Sequence, residues 1–198
     1  MGLTIDISSY NGAIDWQEVF EKNDIEKVIL RVTTKNGNLD VRFIQNLNGV
    51  LLNSTSCLID IYKFSYAKNY GEAVVEAKRI LRELAAHGLQ NFINRLWLDI
   101  EDVGGVEWTT TQCEEVICAY EDVLYSYSDL NLGIYANYHY AKNILPKWLV
   151  KNIWLARWTN AEDYGEVPMN VVLWQYTNKG KVAGIPTSVD LSRYVENK

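Results

Sequence analysis

The sequence predicts an α/β fold, an irregular β/α barrel of eight strands whose last three strands lack full crossover helices. Three observations predict it. Eight short β-type runs recur along 198 residues, and eight is the number of parallel strands that closes a filled barrel. Amphipathic helical stripes separate the early runs, as parallel strands joined by right-handed crossovers require. The connections after the fifth run carry Gly, Asn and Pro instead of a long apolar stripe.

In order, the runs are Leu3 to Ile7, Val28 to Val32, Leu58 to Phe64, Arg95 to Ile100, Leu132 to Ala136, Ile153 to Ala156, Val171 to Tyr176 and Ser188 to Leu191. After the first, Asp15 and Glu18 offer a capping pair to a short helix. Between the third and fourth, Ala73, Val74, Ala77, Ile80, Leu81, Leu84 and Ala85 form a 3.6-residue stripe that Gly88 ends. Between the fourth and fifth, Val116, Ile117, Tyr120, Val123, Leu124 and Tyr127 form another, behind a Thr111 to Glu114 capping box. The connections Arg157 to Asn170 and Thr177 to Thr187 hold no such stripe. With 48% hydrophobic residues, three prolines, no repeat and no linker, residues 1–198 fit a single barrel domain.

A formal net charge of -6 with scattered Lys and Arg excludes nucleic acid as the expected partner, because phosphate contact needs a basic face. Seven Trp and thirteen Tyr suggest an aromatic-rich cleft. Cys57, Cys113 and Cys118 lack metal-ligand spacing and are expected as buried thiols. His87 fits a helix end before Gly88, and His139 a surface loop. Neither metal nor cofactor is expected. No apolar run is long enough to span a bilayer, so no membrane insertion is expected. No signal-peptide pattern precedes the strand at Leu3. A monomer is expected.

In parallel barrels the chemistry sits where strands end. Strand 1 carries Asp6 near its end, strand 4 runs through Asp99 to Glu101, and strand 8 carries Asp190. These four carboxylates are expected at one mouth. Alternation puts Asp99 and Glu101 on the same side, about 7 Å apart along the strand. Paired carboxyls suit glycosidic cleavage: one stays protonated to donate to the leaving oxygen, the other ionised to stabilise an oxocarbenium-like centre or orient a participating group. Tyr62, Phe64, Tyr66, Tyr135, Trp158, Trp174 and Tyr176 fall near strand ends, where flat rings suit pyranose faces and equally suit barrel filling.

The segments Thr4-Ile5-Asp6-Ile7-Ser8-Ser9-Tyr10-Asn11-Gly12 with Asp15-Trp16, Trp97-Leu98-Asp99-Ile100-Glu101-Asp102, Gly133-Ile134-Tyr135-Ala136-Asn137, Trp174-Gln175-Tyr176 and Val189-Asp190-Leu191 resemble, in order, the Chalaropsis-type lysozymes of glycoside hydrolase family 25. The resemblance implies an N-acetylmuramidase cutting the β-1,4 bond between N-acetylmuramic acid and N-acetylglucosamine of cell-wall peptidoglycan. It implies Glu101 as general acid and Asp99 as nucleophile or as orienter of the substrate's acetamido group. Asp6 and Asp190 would shape charge and hydrogen bonding. Tyr62-Lys63-Phe64 departs from the Tyr-His-Phe of many relatives, which bears on one sugar subsite. The expected setting is the bacterial wall, reached as a phage-type endolysin through a permeabilised membrane or as a secreted enzyme. The alternatives are another N-acetylhexosaminidase and a catalytically silent glycan-binding barrel.

Overall fold

A computed structural model describes residues 2–149 and 151–195, and among them eight strands close into one barrel. In chain order the elements are β1 (Leu3–Ile7), α1 (Trp16–Lys22), β2 (Ile25–Arg31), α2 (Phe43–Asn53), β3 (Leu58–Phe64), α3 (Tyr70–Ala86), β4 (Arg95–Asp99), α4 (Thr110–Tyr127), β5 (Asn131–Asn137), α5 (Tyr138–Asn143), β6 (Ile153–Ala156), β7 (Val171–Gly180) and β8 (Val189–Tyr194). β1 through β7 pair in parallel in sequence order. The expected irregularity is present: α5 has six residues, and among the described residues no helix lies between β6 and β7 or between β7 and β8.

β8 runs antiparallel to both β7 and β1. The reason is chain length. β7 continues to Gly180, leaving only residues 181–188 before β8, whereas a parallel return needs a dozen or more. Asp190, expected near the end of strand 8, is therefore the second residue of a reversed strand. The reversal brings that start to the mouth, and Asp190 pairs directly with Asp6 of β1.

Helix α3 buries Ala73, Ala77, Ile80 and Leu84 from its stripe, while Ala85 is exposed. Asp15 caps α1 as expected, accepting from the Glu18 N–H at 3.0 Å, an arrangement worth about 1 kcal/mol. The Asp15 N–H goes instead to the Gly184 carbonyl. The capping box of α4 is not Thr111 with Glu114: Thr109 accepts from the Gln112 N–H at 3.2 Å, and Gln112 accepts from the Thr109 N–H at 2.9 Å. The helix begins earlier, at Thr110, and Glu114 accepts from the Trp148 indole. His139 lies in α5 instead of a loop, and Cys57 and Cys118 are only half-buried.

Side-chain alternation sorts the strands into two layers. Outward residues such as Ile5, Val28, Ile61, Leu98 and Ile134 pack under the helices. Inward, Ile29, Trp97, Tyr135, Trp154, Ala156 and Leu173 fill the barrel. Trp154 meets Tyr135 and Trp97 edge-on at 4.5 and 5.8 Å between centroids, each contact worth about 0.5–1.5 kcal/mol beyond burial. Gly133 makes this packing possible, since a Cβ there would fall 2.4 Å from the Trp97 ring. At the base, Lys27 Nζ lies 2.6 Å from Asp60 Oδ2, which also accepts from Trp97 Nε1 at 2.9 Å. Base and middle are closed by side chains, so polar chemistry is left to the opposite end.

Candidate active site

Three strands deliver carboxylates to that end. Asp6 and Asp190 face one another across the β1–β8 pair. Asp99 is the last residue of β4, in register with Phe64 of β3 and Tyr135 of β5. Glu101 lies two residues past the strand, not within it. The Ile100 N–H still donates to the Tyr135 carbonyl at 3.0 Å and the Ile100 side chain is buried outward, so Asp99 and Glu101 share the inward side.

Burial and mutual proximity bear on their protonation. Burial pushes the Asp6 carboxyl well above the usual range and Asp190 pushes it further, while a hydrogen bond from Gln175 works the other way. Asp99 is raised well by burial first, then by Glu101 and Asp6, with Lys63 opposing. Glu101 is raised by burial, then by Asp102 and Asp190. Asp190 is raised by burial, against a hydrogen bond with Asp6. Four raised carboxyls in one mouth disfavour all ionising together. Asp99 Oδ1 is buried without a hydrogen-bond partner among the described residues.

The β4–α4 loop that carries Glu101 is tied to α5 at two points. The Tyr140 hydroxyl donates to Asp102 at 2.7 Å and accepts from the Trp108 N–H at 2.9 Å. His139 Nε2 lies 2.6 Å from Glu107. These contacts restrain the segment on both sides of the Val103–Val106 bridge.

The expected aromatics divide by strand face. Tyr62 belongs to the inner layer, and its phenol is held well above its usual value by burial and by Asp6. Phe64 and Tyr66 pack at 4.8 Å beside Asp99's strand. Tyr135 and Trp158, from β5 and just beyond β6, both donate to Gln175 Oε1 at 3.0 Å. Trp174 and Tyr176 flank Gln175 on β7 and so face out of the barrel, where Arg193 lies 4.4 Å over the Trp174 ring. The structure does not bring those two to the carboxylates. Lys63 also faces outward, donating to the Thr34 carbonyl at 3.1 Å and lying 3.5 Å from Glu76 of α3. The residue that departs from the Tyr-His-Phe pattern thus supports the mouth from behind.

Gln175 was not among the expected site residues. Its signal was parity: Leu173 is inside the barrel, so two residues on, Gln175 is inside too. Arg31 was also missed. It closes β2 with a charge, donates to Asp40 at 2.7 Å and Ser9 at 2.8 Å, and lies 4.7 Å over the exposed Tyr10 ring. Among the described residues no cluster of His, Cys, Asp and Glu has the arrangement of a metal site.

The profile of Glycosyl hydrolases family 25 matches residues 5–185. No curated protein sequence matches the chain. Among solved structures, the modular autolysin LytC from Streptococcus pneumoniae, determined with a synthetic peptidoglycan ligand, aligns with a TM-score of 0.81 at 25% identity, covering 98% of this chain and 46% of that one. The present chain therefore spans about half the autolysin's length. The Clostridium perfringens spore cortex lytic enzyme SleM aligns at 0.81 with 17% identity, over 100% of this chain and 68% of that one. A bacterial lysozyme from Streptomyces coelicolor aligns at 0.79 with 19% identity, over 98% and 91%. The last two share the fold.

Proposed function

The chain belongs to glycosyl hydrolases family 25, and from that premise we propose that it hydrolyses peptidoglycan at the β-1,4 bond between N-acetylmuramic acid and N-acetylglucosamine. The observation that carries this reading is the convergence of Asp6, Asp99, Glu101 and Asp190 at one end of a barrel otherwise closed by side chains. Residues 1–198 act as a single catalytic domain at the bacterial wall. Among the described residues no helix is long and apolar enough to cross a membrane.

Glu101 is the general acid. Burial and the charges of Asp102 and Asp190 favour its protonated form, and the proton passes to the glycosidic oxygen as the C1–O bond breaks and its electron pair leaves with that oxygen. Asp99 stands beside it, and in its ionised form, which Lys63 favours against burial, it engages either C1 itself or the N–H of the substrate's acetamido group, whose carbonyl oxygen then closes on C1. Water next adds to C1 and returns a proton to the Glu101 carboxylate. Each route inverts C1 twice and retains its configuration. Tyr62, Tyr135 and Trp158 form the aromatic wall for the sugar rings.

Two measurements test this. Glu101→Gln is expected to lower turnover of purified peptidoglycan by at least about a hundredfold with binding retained, because the amide cannot donate the proton. Retention of a tenth of wild-type turnover removes Glu101 from the role. Proton NMR of the first-formed reducing sugar, read before mutarotation, is expected to show the β-anomer; an initial α-anomer means a water-activating base and inversion.

A further inference from the structure

Within the cleft of this proposed hydrolase, we infer that Gln175 is a positioning residue whose single amide fixes both the Trp158 ring and the Asp6–Asp190 pair. The side chain is 1% exposed and its four hydrogen-bonding positions are all used. Oε1 accepts from the Tyr135 hydroxyl and from Trp158 Nε1, each at 3.0 Å. Nε2 donates to Asp6 at 3.1 Å and to Asp190 at 3.4 Å. The orientation of the amide follows from chemistry: an indole N–H only donates, so the atom it meets is oxygen, and the nitrogen must point at the carboxylates.

The two halves of the amide do different work. Trp158 lies beyond the end of β6 and is 56% exposed, and among the described residues its indole N–H is held by Gln175 alone. That bond sets the stance of the most exposed ring expected to meet sugar. On the other side, the two N–H groups are the neutral donors that Asp6 and Asp190 receive from β7. They stabilise negative charge on a pair that burial otherwise pushes toward protonation.

Two substitutions separate the halves. Gln175→Glu keeps oxygen acceptors for Tyr135 and Trp158 but replaces the donor with a carboxylate against Asp6 and Asp190. Gln175→Met keeps the volume and removes every bond. Gln175→Glu is expected to hold KM near wild type and to lower kcat on peptidoglycan at least about tenfold at neutral pH, because both donor bonds to Asp6 and Asp190 are lost. Activity should return as pH falls, because the protonated acid donates to Asp6 as the amide did. Gln175→Met is expected to raise KM and lower kcat at every pH. The indole proton resonance of Trp158, identified by its loss in Trp158→Phe, should move in Gln175→Met and stay in place in Gln175→Glu, with near-UV circular dichroism confirming that each variant is folded.

The positioning role is overturned if Gln175→Glu has wild-type kcat across the pH range, or if Gln175→Met leaves both KM and the Trp158 resonance unchanged. An inactive wild-type enzyme would instead sink the hydrolase assignment, and the resonance would still decide the role of Gln175.

Discussion

Replacing Lys27 with Met isolates the structural base of the barrel from its chemistry. Lys27 is 3% exposed and Asp60 is fully buried. Their charged atoms lie 2.6 Å apart, and Asp60 further accepts from Trp97 Nε1 at 2.9 Å and from Asn94 Nδ2 at 3.0 Å. Met fills the alkyl volume but leaves a buried carboxylate with two neutral donors and no counter-charge. Breaking a buried ion pair on one side costs about 3–5 kcal/mol. For a domain of this size each kcal/mol moves the melting temperature by about 2–4 °C, so the expected fall is about 6–20 °C. The double variant Lys27→Met with Asp60→Asn should recover at least half of that loss, since the neutral amide still accepts from Trp97 and no buried charge remains. Thermal and urea unfolding followed by circular dichroism give both values. The pair lies at the closed end, so turnover per folded molecule should be unchanged. A loss below about 1 kcal/mol, or a double variant no more stable than the single, refutes the reasoning.

Stability should depend on pH through the site itself. Asp6, Asp99, Glu101 and Asp190 are all raised, each by burial first, so their favourable contribution is complete below the ordinary carboxylate range and is lost as pH rises through their raised values. Asp40 runs the opposite way: burial pushes it up, but hydrogen bonds from the Arg42 and Ser9 amides and from Arg31 leave it lowered, so its contribution is lost only on stronger acidification. The melting temperature should therefore be higher at mildly acidic than at mildly alkaline pH, and Asp6→Asn should flatten the slope; an unchanged slope in that variant argues against a raised Asp6. At the α1–α2 crossing, Gly49→Ala would put a Cβ 2.0 Å from Trp16 Cδ1. Overpacking of about 1–3 kcal/mol should outweigh the gain in helix propensity, and equal or greater stability in denaturant would show that Trp16 repacks freely.

Periodicity made the strands and the two long helices legible, strand parity made Asp99 and Glu101 legible as neighbours, and the rule that barrel chemistry sits where strands end placed Asp6 with them. What escaped depended on pairing or on distant packing. Helix α2 buries Phe43, Asn46, Leu47 and Val50, but Asn46, Asn48, Gly49 and Asn53 dilute its local helical signal. The reversal of β8 is written in the shortness of residues 181–188, not in the composition of the strand. Thr109 and Thr111 each have an acceptor three residues on, so only the observed start of α4 decides between them. Trp174, Gln175 and Tyr176 form one motif, yet the face pointing inward is set by the cluster around Leu173. The aromatic residues were the conspicuous ones, and the amide between them is the residue that meets the carboxylates.

The identity of the bond cut decides whether this mouth is a muramidase site. Purified peptidoglycan digested by the wild-type chain, reduced with borohydride and resolved by mass spectrometry, should yield fragments whose new reducing ends carry reduced N-acetylmuramic acid. Reduced N-acetylglucosamine at those ends would contradict the assignment and place the enzyme among the glucosaminidases.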